Sequence, residues 1–174
     1  MKIIFLGPQG SGKSTQAKML SEHLNVPYIE MGQMLRDKMT DNTQDAQDIK
    51  VAMESGNLVD NEITIRALTE RLTKPDAKDG FVLDGYPRNQ EQLDKFPIEV
   101  DKVIYVKVPD EEAISRLSKR ARADDTPEAI QKRLEIYHNE TEPLLEQFRQ
   151  KGLLTEVDGK PNIDDVKKAL LNLF

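Results

Sequence analysis

Gly7-Pro8-Gln9-Gly10-Ser11-Gly12-Lys13-Ser14 lies between an apolar run, Lys2–Leu6, and an amphipathic one, Lys13–Leu24. The octet fits G-x-x-x-x-G-K-[ST], and a strand before it with a helix after it is the context in which that pattern holds phosphates. Glycines let successive backbone N–H groups point into one concavity, and a helix starting at Lys13 adds its positive dipole end. Lys13 can reach β- and γ-phosphates, and the Ser14 hydroxyl suits Mg²⁺. The reading is a P-loop for a nucleoside triphosphate, with Gly10, Ser11, Gly12, Lys13, Ser14 and Thr15 as the triphosphate cradle. A P-loop alone names no reaction, since switches, motors and kinases share it.

The pattern outward from this segment alternates short apolar runs with helical stretches. Strands are expected at Lys2–Leu6, Pro27–Glu30, Phe81–Asp84, Lys102–Lys107 and Leu153–Val157. Helices are expected at Lys13–Leu24, at roughly 32–40, 44–55 and 61–73, from Asp110 to Arg120, from Thr126 to about Glu140, and at Ile163–Leu173. Thr126-Pro127 starts a helix, with Thr as the cap and Pro in the first turn, and Pro143 should kink or restart it. Strands alternating with helices imply an α/β fold, a parallel sheet with helices on both faces. The chain has 174 residues, enough for one domain.

Composition removes several function classes. The net charge is −6, which disfavours nonspecific nucleic-acid binding. No apolar run approaches the length of a membrane span, and the N-terminus does not read as a signal peptide. The chain has no cysteine, so disulfides and thiolate metal sites are absent and a cytoplasmic location is expected. An anionic ligand in so acidic a chain requires locally concentrated positive charge. His23 and His138 have no second histidine at ligand spacing and read as structural or solvent-facing. The acidic stretch Asp41–Asp48 reads as a solvated face.

Several separated segments resemble the adenylate kinase family, in its order and over nearly the whole chain. They are Gly7–Ala17, Gly32-Gln33-Met34-Leu35-Arg36, Gly56-Asn57-Leu58-Val59, Asp84-Gly85-Tyr86-Pro87-Arg88 with Gln92, Arg116–Arg120, Arg122-Ala123-Asp124-Asp125, Arg133–Tyr137 and Thr141–Leu144. The resemblance implies a five-stranded parallel P-loop core (1–29, 60–120 and 126–174), a helical monophosphate-binding insert at about 30–59, and a very short lid at about 121–125. That lid has no room for a small lid domain or for the four zinc ligands of some relatives. Mg²⁺ with ATP and no zinc are therefore the expected cofactors.

The resemblance also implies roles. Arg36 and Arg88 would hold the monophosphate's phosphate. Arg120, Arg122 and Arg133 would surround the transferring phosphoryl group with Lys13, and Arg122 and Arg133 would also meet AMP. Arg116 and Pro161 would lie by the ATP base, although Arg116 could equally pair with Glu112 one helical turn earlier. Asn57, Leu58 and Val59 would meet the AMP adenine, Gly85, Tyr86 and Pro87 would line the same site, and Gln92 would read the base. Met31 stands where the family usually has Thr or Ser. Asp84, at the end of its apolar run, would orient Mg²⁺ through water together with Ser14.

Such a set suits phosphoryl transfer, where two polyanions meet and catalysis is mostly positioning and electrostatics. The implied reaction is ATP plus AMP giving two ADP, in the service of adenine nucleotide balance. A UMP/CMP kinase or a broader monophosphate kinase is the alternative, and Gln92 favours AMP. A nucleotide-binding regulatory module is the reading from another class. It would not need Asp84–Arg88 or the arginines beyond, and no Asn-Lys-x-Asp segment for guanine is present. The expected partners are ATP, AMP and ADP, with no nucleic acid or membrane and the chain acting as a monomer.

Overall fold

A computed structural model describes residues 1–96, 99–120, 122 and 124–174. Ala121 and Ala123, within the expected lid, lie outside the described residues. The strands β1 (Lys2–Leu6), β2 (Tyr28–Glu30), β3 (Phe81–Asp84), β4 (Lys102–Lys107) and β5 (Leu154–Asp158) form one sheet in the order β2-β3-β1-β4-β5. All four pairings are parallel. The central strands β1, β3 and β4 are apolar because both sheet faces are covered there, as parallel sheets require.

On one face, Ile3, Phe5, Val82 and Ile104 pack against Ala17 and Leu20 of α1 (Lys13–Leu24) and Val166 and Leu170 of the C-terminal helix Ile163–Leu171. On the other, Ile4, Leu6, Phe81, Leu83 and Val103 join a larger core with the helical insert and with Leu144, Leu145 and Phe148. Between β2 and β3 run α2 (Met31–Lys38) and α3 (Gln44–Glu54), in the region of the expected insert, and then α4 (Asn61–Leu72). Thr43 caps α3 and Asp60 caps α4 through side-chain oxygens, which explains where both helices start.

Three elements differ from expectation. A short helix, α5 (Gln90–Asp94), begins at Asn89, whose side chain accepts from the Gln92 N–H. A 3₁₀ turn occupies Pro75–Ala77. Beyond α6 (Asp110–Arg120), the Thr126 hydroxyl accepts from the Ala129 N–H and starts α7 (Pro127–Ile136), which passes into a π turn at Tyr137–Thr141. Pro143 supplies no N–H to continue the ladder, and Glu142 N–H instead reaches Tyr137 O at 2.8 Å. The chain resumes as α8 (Leu144–Gln150), and the last helix is α9 (Ile163–Leu171).

The chain leaves β1 to build β2 on one side and β4 on the other, so the order reverses beside β1. Ligands of open parallel sheets bind at such a switch point, beyond the strands' carboxyl ends. The P-loop leaves β1 at that point, and β2 and β3 end beside it, with Glu30 opposite Asp84.

Candidate active site

One cavity of about 1080 Å³ opens above the carboxyl edge of the sheet. Every nucleotide- or metal-binding candidate read from the sequence borders it except Tyr86. Tyr86 is fully buried, and its hydroxyl donates to the Gln92 carbonyl at 3.0 Å. It supports the site from behind and does not line it.

The P-loop wall is fixed by close packing. Gly10 has φ +84°, and a Cβ there would run into the Ala113 carbonyl of α6. No side chain fits, whatever the backbone strain. Arg116 makes the expected pair with Glu112 and also reaches the P-loop. Its Nε donates to Glu112 Oε1 at 2.6 Å, while Nη1 donates to the carbonyls of Gly159 at 3.0 Å and Ser11 at 3.3 Å. Nη2 donates to Lys160 O at 3.3 Å, so Arg116 ties the P-loop to the β5–α9 loop that carries Pro161.

Lys13 Nζ donates to Pro8 O at 3.2 Å. Burial lowers its pKa; Asp84 opposes this, and the charges of Arg88 and Arg120 add to it. Arg88 is lowered in the same way, by burial and by Arg133 and Arg36 nearby, with its Nε held by Gly85 O at 2.9 Å. Thr141, placed by the π turn, donates to Arg88 O at 2.6 Å and fixes that backbone. Cations crowded where burial and like charge both oppose them are suited to receiving a polyanion.

Arg120 and Arg133 hold carboxylates. Arg120 forks onto Asp125 with both contacts at 2.8 Å. Arg133 donates to Asp125 Oδ1 at 2.9 Å, to Asp124 Oδ2 at 2.5 Å and to the Met53 carbonyl of α3 at 3.0 Å. Arg133 therefore links α7, the Asp124–Asp125 segment and α3. Gly56 packs against α7 at the same junction, where a Cβ would lie 2.7 Å from Ala129 O. Arg122 is exposed among Arg120 and Arg36; partial burial and those charges lower its pKa.

At the junction of the two halves, Ser14 Oγ donates to Asp84 Oδ2 at 2.5 Å, and Tyr28 OH donates to the same oxygen at 3.1 Å. Asp84 is 2% exposed, and its Oδ1 is buried without a hydrogen-bond partner. A buried carboxylate oxygen with no donor, beside a serine hydroxyl, fits a hard cation or its water ligands.

Part of the cavity lining is apolar. Met31, 1% exposed, and Val59 supply apolar surface. Gln92 is held at both ends of its amide. Arg88 N–H donates to Oε1 at 2.8 Å, and Nε2 donates to Asn61 Oδ1 at 3.0 Å. Asn89 Nδ2 donates to that same Asn61 oxygen at 3.0 Å, and Asn61 Nδ2 donates to Glu91 Oε2 at 2.6 Å. A backbone N–H can only donate and an ionised carboxylate can only accept, so the series has one polarity. Hydrogen bonds from Lys95 and from Asn61 hold the Glu91 carboxyl below its usual range and keep it ionised. The sequence reading gave no role to Asn61, Tyr28 or Glu30, nor to Thr141, which opens one of the resembling segments. Glu30 lines the cavity and pairs with Arg36 at 3.0 Å. Of this network the sequence had singled out Gln92 and Arg88.

Comparison with known proteins agrees with this geometry. The adenylate kinase family profile matches residues 5–153. An adenylate kinase of Stenotrophomonas maltophilia (strain K279a) is 40% identical over 182 aligned residues, covering 98% of this chain and 97% of that one. An adenylate kinase of Nocardia farcinica (strain IFM 10152) is 38% identical with the same coverage, and one of Mycobacterium sp. (strain MCS) is 40% identical, covering 95% and 94%. Matched by the family profile over residues 5–153 and by these relatives over nearly its full length, this chain belongs to the adenylate kinase family.

Proposed function

We propose that this chain transfers the terminal phosphoryl group of ATP to AMP, giving two ADP, within the single cleft bounded by the P-loop, the insert and the lid. The observation that carries this reading is the convergence of Lys13, Arg36, Arg88, Arg120, Arg122 and Arg133 on one cavity between a phosphate cradle and an apolar base pocket. Family membership supports adenine nucleotides on both sides. The P-loop amides and Lys13 bind the triphosphate of ATP, with its base toward Arg116 and Pro161. Arg36 and Arg88 take the AMP phosphate, and Gln92, Met31 and residues 57–59 take its base.

Arg120, Arg122 and Arg133 reach the transferring group when the lid is drawn over it. Their charge meets the negative charge on its equatorial oxygens, and the closed cleft excludes water that would divert it. Ser14 and Asp84 would hold magnesium, directly or through water. The ion, when bound, offsets phosphate charge and helps orient the triphosphate. The expected short lid at about 121–125 and the insert at about 30–59 serve as the moving parts of one domain. The chain is read as a cytoplasmic monomer without structural zinc. None of the described helices is long and apolar enough to cross a membrane.

The test is kcat/KM with MgATP for AMP, GMP, CMP and UMP, in wild type and Lys13→Ala. AMP should be the best acceptor, and the variant should lose at least about a hundredfold in turnover with every acceptor. A preference for CMP or UMP would replace the adenylate reading with a pyrimidine nucleotide kinase.

A further inference from the structure

A carboxylate inside a site for phosphate runs against the charge of that site. Glu30 ends β2 and lines the cavity, and its Oε1 accepts from Arg36 Nη2 at 3.0 Å. Both side chains are 22% exposed, so the pair lies half-sheltered within the cleft. Arg36 Nε is held separately by Gln33 Oε1 at 3.2 Å, so the guanidinium keeps an anchor when Glu30 lets go. Glu30 precedes α2 but gives it no side-chain cap, so the helix start does not explain the residue. Its other oxygen lies 3.4 Å from Tyr28 OH, whose stronger contact is with Asp84 at 3.1 Å.

We propose that Glu30 is an affinity-setting residue of the acceptor site. Its carboxylate holds Arg36 until the phosphate of the incoming monophosphate displaces it, so acceptor binding is an exchange of anions on one guanidinium. The inference rests on the reading that Arg36 receives the acceptor's phosphate. An arginine can form its planar fork with either anion, but a carboxylate left within a few ångströms of a bound phosphate dianion repels it. Glu30 therefore weakens acceptor binding and favours release of the nucleotide from that side.

The test is calorimetric binding of AMP, adenosine and MgATP to wild type, Glu30→Gln, Arg36→Ala and the double variant. Glu30→Gln keeps shape and an acceptor oxygen but removes the charge. It should tighten AMP about three- to tenfold, the range expected for releasing a partly sheltered ion pair. It should move adenosine and MgATP by less than about twofold, and the gain should largely disappear in the Arg36→Ala background, as coupled residues require. AMP binding unchanged or weakened by Glu30→Gln, an equal change for adenosine, or a full gain without Arg36 would each overturn the proposal. If Arg36→Ala leaves AMP affinity intact, the acceptor-site assignment fails and the role of Glu30 fails with it. Weakened AMP binding in Arg36→Ala with no gain in Glu30→Gln would instead remove Glu30 alone.

Discussion

On the proposed reading, Gln92 carries the choice of base through the order of two atoms in its amide. Adenine offers a donor at N6 and an acceptor at N1, whereas guanine offers the reverse at O6 and N1–H. A freely turning amide matches both. Here the polarity set by Arg88 N–H at one end and by Asn61 and Glu91 at the other leaves one N–H and one lone pair for the ligand. Gln92→Ala should lower kcat/KM for AMP about tenfold or more, through loss of a hydrogen-bonding pair. Asn61→Leu should spare Gln92 but free its amide, so the AMP-to-GMP ratio of kcat/KM should fall more than the maximal rate with AMP. An unchanged ratio in Asn61→Leu would remove Asn61 from base selection. Gln92 itself was legible in the sequence because it follows Asp84–Arg88 at a fixed interval. Asn61 was not, because it lies 31 residues away and meets Gln92 only after α4 packs beside α5. Glu30 and Arg36 were missed as a pair for a similar reason, since they face each other across a strand–helix junction.

Among the elements, the turn between α6 and α7 shows how carboxylates can hold arginines together. The Asp125 side chain is fully enclosed, between Arg120 and Arg133. Its burial pushes the carboxyl up, but the hydrogen bond and charge of Arg120 and the charge of Arg133 outweigh this and hold it below the usual carboxylate range. A depressed pKa in the fold means stabilisation that is fully present above the unfolded value, about 4, and lost as pH falls through the folded one. Asp125→Asn should therefore lower Tm at pH 7, and the gap from wild type should narrow only below about pH 4. A gap that closes between pH 5 and 7 would show that another group holds the lid. The strands were readable because a parallel sheet buried on both faces demands apolar runs, and the Thr126-Pro127 start was readable from capping chemistry. Helix α5 was not, because five largely polar residues carry no helical period. Nor was the π turn, whose extra residue places Thr141 against the Arg88 carbonyl.

For the molecule as a whole, the strand order puts the P-loop at the reversal point, and the insert and α7 close the cleft from the far side through Arg133 and Met53 O. One cavity bordered by both a triphosphate cradle and a monophosphate pocket predicts direct transfer between two bound nucleotides. The measurement that reads this is the fate of a radiolabel in the γ-phosphate of ATP. With MgATP and AMP, the label should pass to the β-phosphate of ADP, with two ADP formed per ATP consumed and negligible free phosphate. Label released as inorganic phosphate at a rate indifferent to AMP would contradict direct transfer.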